Sequence, residues 1–479
     1  MRIYFLGICG TAMGNAAVLM KALGHEVRGA DTGVYPPMSD VLASAGIDVY
    51  EGYDPARLEK FRPDFVVVGN ALSRGNPEIE WLLNTRAFAY GSLPQLLRER
   101  ILFERQNIVV AGTHGKTTTA TLCACLLKGQ GRDPGYLIGG VPLDLPSGAH
   151  AGAKADPFVI EGDEYDSAFF DKRSKFIHYL PSIALINNVE FDHVDIFRDL
   201  ADVERTFSHF LRLVPQNGYV VANGDDEVVA RLLEPVNWTH IVRVGVGEHC
   251  DVRIVNFKET REGAHFELHY KGKLLRTIDW ALPGLFNARN AAMAATATAL
   301  SLFSEGFERL DLSCLQTLRG VRRRQEVLYA DQFRVVIEDF GHHPTAIAQT
   351  LESLKARYPN FAITACFEPR SNTARTDIFQ TALPRALEAA DAAFIGPVHR
   401  AEKLAADKRL DAEKIAAELK QKNLHARACA TNDEVLEAAW DTMKDSPHPQ
   451  LCVFFSNGAF GGIIPKLAAR AKMAGKSLA

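Results

Sequence analysis

The stretch Ile108-Val-Val-Ala-Gly-Thr-His-Gly-Lys-Thr-Thr-Thr119 constrains this chain more than any other. Four apolar residues read as a buried parallel strand, and a helical run opens at Lys116 and continues through Thr121, Leu122, Ala124 and Leu127. Between them, Gly112 and Gly115 let backbone N–H groups turn toward an anion. Lys116 is placed for the outer phosphates of a nucleotide, and Thr117 for a Mg²⁺ ion. With Thr113, His114 and Thr118 these residues make a candidate ATP loop. The spacing departs from G-x-x-x-x-G-K-[ST], since Gly112 lies three residues before Gly115 and Val110 stands where the first glycine belongs. A glycine pair alone could be a plain tight connection; the appended Gly-Lys-Thr favours phosphate.

A strand–loop–helix of this kind needs a sheet around it, and 479 residues provide for about three domains. Composition and pattern divide the chain into 1–105, 106–320 and 321–479. With 47% hydrophobic and 23% charged residues the chain can build real cores. A net charge of −4 argues against nucleic acid or an acidic membrane as partner, and no apolar run approaches the ~20 residues of a membrane span. The chain opens directly on a strand, with no cleavable signal, and its eight cysteines form no paired framework. Reduced thiols in a cytoplasm are therefore expected.

The first segment repeats the strand–glycine–helix outline. Residues 2–6 lead into Gly7-Ile-Cys-Gly-Thr-Ala-Met-Gly14, a helix follows to about Leu23, and a strand from Glu26 ends at Asp31. The glycines miss G-x-G-x-x-G because Cys9 occupies the second position. Gly7, Gly10, Thr11, Met13, Gly14, Asp31 and Asn70, the last after the strand 65–69, are the candidate cradle for a nucleotide-linked sugar. Two phosphate loops in one chain suit an enzyme that joins ATP to a nucleotide-linked substrate better than a dehydrogenase.

In the second segment, Phe158-Val-Ile-Glu161 is a strand ending in an acid, where a metal ligand belongs. The strand 183–188 leads to Glu190-Phe-Asp-His193, which makes His193 a second candidate ligand. Residues 252–280 alternate as an antiparallel meander at the side of the domain. Asn287 and Asn290 open an Ala-rich helix, either as caps or as hydrogen-bond partners of adenine. The third segment carries Asp339-Phe-Gly-His-His-Pro344 after a strand, then strands at 361–367, 391–396 and 451–455. The expected architecture is three-domain α/β: a Rossmann-like unit, a P-loop-type ATPase unit with a parallel sheet and the small meander, and a second Rossmann-like unit.

Gly112-Thr-His-Gly-Lys-Thr117, Glu161 with its acid cluster, Asp192-His193, Asn287-x-x-Asn290 and Asp339-x-Gly-His342-His343-Pro344 resemble the ATP-dependent muramyl ligases over essentially the whole chain. The resemblance implies that ATP, the co-substrate, phosphorylates the muramyl carboxylate of UDP-N-acetylmuramate, and that an amine then displaces phosphate. It assigns Lys116, His193, Arg324, Asp339 and His342 to catalysis, Arg324 to the γ-phosphate and Asn287 and Asn290 to ATP. Thr117 and Glu161 would hold one Mg²⁺ and His193 a second. No lysine lies between Lys175 and Lys258, so the carbamylated lysine of several relatives has no counterpart. Four strings, Val34–Ser39, Phe169–Phe176, Glu368–Thr373 and Ser456–Gly462, resemble the branch that takes a muropeptide-derived tripeptide, L-alanyl-γ-D-glutamyl-meso-diaminopimelate; the alternative is the branch that takes free L-alanine. Arg370, Asn372 and Asn457 are the candidate peptide contacts. A monomer or weak homodimer is expected.

Overall fold

Three mainly parallel sheets follow one another along the chain. The computed structural model describes residues 1–36, 38–304 and 306–476; Pro37, within the Val34–Ser39 string, lies outside the described residues. The first sheet runs in the order Asp48–Glu51, Glu26–Asp31, Arg2–Leu6, Phe65–Val68, Tyr90–Ser92, all parallel. Its middle strands bury both faces, which is why Tyr4-Phe-Leu6 and Phe65-Val-Val-Val68 are continuous apolar runs. Its core continues through Leu93, Leu96, Leu97, Ile101 and Leu102 into Val109 and Ala111 of the second sheet.

The second sheet has ten strands, with Asn107–Ala111 between Pro181–Ile186 and Phe158–Gly162. Ala111 pairs with Gly162 on one side and Ile186 on the other, so three strands end at the same level. That register sets the glycine loop, the acids after Glu161 and the Asn187-Asn188 segment side by side. The antiparallel meander lies at the side of the domain as expected, as the edge of the central sheet: Val252–Thr260 pairs in parallel with His240–Gly245, and Gly263–Tyr270 and Lys273–Trp280 extend the same sheet. Half-alternating strands can continue a buried sheet at its edge, where one face meets solvent. The helix Leu285–Phe303 packs against Lys116–Gly129, and its alanines allow close approach, with Cys123 Sγ 3.9 Å from the carbonyl of Ala294.

The third sheet runs Glu326–Ala330, Arg334–Asp339, Gln450–Phe455, Ala362–Phe367, Ala392–Ile395, His425–Ala428. Its two edge strands were not expected. Glu326–Ala330 is largely exposed and antiparallel, and His-Ala-Arg-Ala has little strand propensity, so neither carries a strong pattern. All eight cysteines are free thiols. Among the described residues no helix is long and apolar enough to cross a membrane.

Candidate active site

The central loop requires its glycines. Gly112 and Gly115 sit at φ 135° and 80°, a region that side chains strain. A Cβ on Gly112 would lie 3.1 Å from the backbone nitrogens of Asn187 and Asn188, and one on Gly115 2.7 Å from Asn290 Oδ1. Gly115 caps the helix Lys116–Gly129 without a side chain, so no cap competes for the first-turn N–H groups. Lys116 Nζ donates to the Gly112 carbonyl at 2.6 Å and to Glu164 Oε2 at 2.7 Å. Burial alone would favour the neutral amine, but Glu164, Asp163 and Glu161 together outweigh it and raise the Lys116 pKa. Thr113 binds the backbone of Glu190, the His114 N–H binds Asn188 Oδ1 at 2.7 Å, and Thr118 is buried in the first helical turn.

Thr117 Oγ1 lies 3.1 Å from Glu161 Oε2, whose other oxygen accepts the Gly139 N–H at 2.6 Å. Burial raises the Glu161 pKa, and Gly139, Lys116 and Thr117 offset only part of that. A hydroxyl oxygen beside a buried carboxylate that lacks a full counter-charge is a donor set that fits a hard divalent cation. His193, at φ 58°, points Nε2 at Glu164 Oε1, 3.1 Å away, while its backbone N–H is accepted by Thr373 Oγ1 of the third unit at 2.9 Å. Glu164 therefore holds both Lys116 and His193, a role that the acid cluster did not reveal in sequence. Lys116, Thr117, Glu161, His193, Arg324 and His342 all line one cavity of about 390 Å³, which also reaches Ala12 on the first-unit helix.

Arg324 is held over the Phe340 ring at 4.8 Å; burial lowers its pKa against the charges of Asp339 and Glu161. Asp339 does not line the cavity. Its oxygens accept the N–H groups of Gln325 at 2.9 Å and Gly341 at 2.7 Å, which fixes the loop that presents Phe340 and His342. His342 Nε2 stands 3.6 Å from Asp192 Oδ2.

Neither asparagine caps the helix Leu285–Phe303. Gly284 is the cap, Asn287 Nδ2 donates back to the Pro283 carbonyl at 2.7 Å, and Asn290 Nδ2 donates to Asn287 Oδ1 at 3.3 Å. Both residues lie inside the first turns, too far along to serve the orphan N–H groups. Asn290 lines a smaller cavity of about 210 Å³ with His114, Asn187, Asn223, Asp225 and Arg289, and Asn287 stands behind it. His114 borders both cavities.

In the first unit, Asp31 accepts the Cys9 N–H at 2.9 Å and the Gly33 N–H at 3.1 Å, so it braces the glycine turn. Gly7 needs its φ of 79°, and Gly10 caps the helix Thr11–Ala22. Met13 is buried, and Gly14 is a packing position, since a Cβ there would lie 2.2 Å from Met38 Sδ. Asn70 is exposed just beyond Phe65–Val68.

Arg370, Asn372 and Asn457 come together, lining an open cavity of about 390 Å³ with Arg375, His399 and Arg400. His193 and His342 border this cavity and the reaction cavity alike. Arg375 and Arg400 were missed; the available signal was their position in the loops after Ala362–Phe367, which also leads to Arg370, and after Ala392–Ile395. Asn372 Nδ2 donates to Tyr165 Oη at 3.0 Å and to Asp195 Oδ2 at 2.9 Å, crossing from the third unit to the second. Asn457 Oδ1 is buried with no hydrogen-bond partner among the described residues.

Residues 2–100 match the Mur ligase family catalytic domain, 110–298 the Mur ligase middle domain and 323–457 the Mur ligase glutamate ligase domain. The UDP-N-acetylmuramate–L-alanyl-γ-D-glutamyl-meso-2,6-diaminoheptandioate ligase of Escherichia coli K12 is 39% identical over 480 residues, covering 98% of this chain and 97% of that protein. The UDP-N-acetylmuramate–L-alanine ligase of Clostridium acetobutylicum is 32% identical over 385 residues, 79% of each chain. Among solved structures, a murein peptide ligase from Psychrobacter arcticus 273-4 superposes with a TM-score of 0.70 at 34% identity, covering 98% of both chains.

Proposed function

The chain belongs to the Mur ligase family, and from that premise we propose that it joins L-alanyl-γ-D-glutamyl-meso-diaminopimelate to UDP-N-acetylmuramate. As in the family, ATP drives the formation of an amide bond on a UDP-N-acetylmuramate substrate. The segments 1–105, 106–320 and 321–479 are read as the sugar-nucleotide, ATP and peptide units. The observation that carries the choice of amine is the cavity of Arg370, Arg375, Arg400 and His399 that adjoins the reaction cavity through His193 and His342. A tripeptide brings two or more carboxylates, and three guanidinium groups match them; free L-alanine brings one.

In this reading the γ-phosphoryl group lies against the loop 112–117, with Lys116 and Arg324 facing its oxygens. The muramyl carboxylate attacks the γ-phosphorus, ADP leaves, and an acyl phosphate forms. The neutral N-terminal amine of the peptide attacks the acyl carbon, inorganic phosphate leaves with the C–O bonding pair, and the amine gives up a proton. Thr117 and Glu161 would hold one Mg²⁺ and His193 a second, and when bound these ions neutralise charge on the phosphoryl oxygens. The chain's own contribution is positioning and charge. His342 stands between the two cavities, and Asp339 acts through the loop that carries it. Free thiols at all eight cysteines suit a reducing cytoplasm.

The test is phosphate release from ATP with UDP-N-acetylmuramate, comparing the tripeptide with free L-alanine. Strong preference for the tripeptide is expected; preference for alanine would move the chain to the L-alanine ligases.

A further inference from the structure

Beside the reaction cavity, three side chains converge that the ligation scheme leaves without a chemical task. His114 comes from the central loop, Glu190 from the segment after Pro181–Ile186, and His343 from the start of the third-unit helix Pro344–Arg357. His343 Nδ1 lies 2.9 Å from Glu190 Oε2, and His114 Nε2 lies 3.6 Å from the same oxygen. All three ligating atoms fall within 4.8 Å of one another.

Within this cluster one buried ring nitrogen is left without a hydrogen bond among the described residues. His343 Nδ1 lies 3.3 Å from the Thr345 N–H as well as 2.9 Å from Glu190 Oε2, so its one lone pair can serve the helix cap or a bound ion. Glu190 Oε2 already accepts the Thr345 hydroxyl at 2.7 Å. His114 Nε2 is buried and has no hydrogen-bond partner among the described residues. Burial lowers the His114 pKa to about 4, so its imidazole is neutral near neutral pH. Burial would raise Glu190, yet the two histidines hold it well below the usual carboxylate range. Two imidazoles and a carboxylate form a donor set for zinc-type ions, whereas Mg²⁺ prefers oxygens. Tetrahedral bonds of about 2.0–2.1 Å place neighbouring ligand atoms roughly 3.3 Å apart. The observed 2.9 and 3.6 Å fall on either side of that spacing.

We propose that His114, Glu190 and His343 form a site for a divalent transition-metal ion of the zinc type, with a fourth position for water, bridging the central loop and the third unit. It is distinct from the Thr117–Glu161 pair. An ion there ties the phosphate loop to the start of the helix Pro344–Arg357.

The test uses the full-length chain stripped with chelator, titrated with Co²⁺ in the absence of nucleotide and Mg²⁺. The expected result is one Co²⁺ per chain with the intense visible bands of a tetrahedral N/O site, bleached by Zn²⁺. Glu190→Gln should weaken binding at least about tenfold, His343→Ala should abolish the bands, and Glu161→Gln should leave them in place. His343→Ala also removes a helix cap, so the near-isosteric Glu190→Gln carries the test if that variant unfolds. Absence of the bands, or equal bands in wild type and Glu190→Gln, would overturn the proposal and leave a hydrogen-bonded cluster only.

Discussion

The two glycine loops of this chain share an outline and divide the chemistry. Each follows a central parallel strand and opens a helix, and each helix is capped by a glycine without side-chain help. At residues 7–14 the neighbouring acid, Asp31, is satisfied by backbone N–H groups and the last glycine is filled by Met38. At residues 112–117 the loop adds a lysine and a threonine, which meet Glu164, just past the adjacent strand, and Glu161, near its end. Topology makes both loops able to receive phosphate. The buried charge around the second makes it suited to transfer phosphate, whereas the first is suited to hold it.

Substitutions can break this contrast. Lys116→Ala should have the largest effect, lowering kcat at least about 10³-fold by removing a fixed charge at the phosphoryl group. It also leaves Glu164 buried without its ammonium, at a stability cost of about 3–5 kcal/mol. Rates must therefore be taken below the melting point, with circular dichroism as the check on folding. An active variant would make the central loop no different from the first.

Glycine replacements sharpen the same point. Gly112→Ala places a Cβ at φ 135°, 3.1 Å from backbone, and should abolish ATP binding in calorimetry. Gly14→Ala meets chiefly the flexible Met38 side chain, with the Ile8 carbonyl at 3.2 Å, so ATP binding should survive with about 1–3 kcal/mol lost in urea unfolding. Asp31→Asn weakens two backbone contacts in the first loop. It should raise KM for UDP-N-acetylmuramate about tenfold while KM for ATP stays unchanged.

The smallest effect lies in pH dependence. Folded His114 stays neutral down to about pH 4, whereas an unfolded chain takes up that proton near 6.5. The unfolded state binds more protons between those values, so stability is full above about 6.5 and falls as pH drops toward 4. Urea melts from pH 7 to 5 should show this slope reduced in His114→Asn; an identical slope would mean that His114 is as free as any surface histidine.

Much of the fold was readable because parallel strands write themselves as apolar runs, and Asn107–Ala111, Phe158–Gly162 and Arg334–Asp339 did so. Lys116, Thr117, Glu161, His193, Arg324 and His342 share one cavity. For Lys116, Thr117 and Glu161, at a helix start and a strand end, the signal was local, whereas Arg324 and His342 were given by the family resemblance. What escaped depended on pairing between distant segments. The meander's place in the central sheet rests on Val244 meeting Val252. Glu164's double partnership joins residues 48 and 29 positions away. Asn287 looked like a cap because helix boundaries are poorly marked when glycine precedes them by three residues. The cluster of His114, Glu190 and His343 forms only when two units meet.

The central claim is that the muramyl carboxylate is phosphorylated by ATP at the central loop before the amine arrives. The most direct measurement supplies UDP-N-acetylmuramate labelled with ¹⁸O in its carboxylate and follows the released phosphate by mass spectrometry. The account predicts one ¹⁸O atom transferred to inorganic phosphate for each amide bond formed. Unlabelled phosphate accompanying labelled product would contradict it.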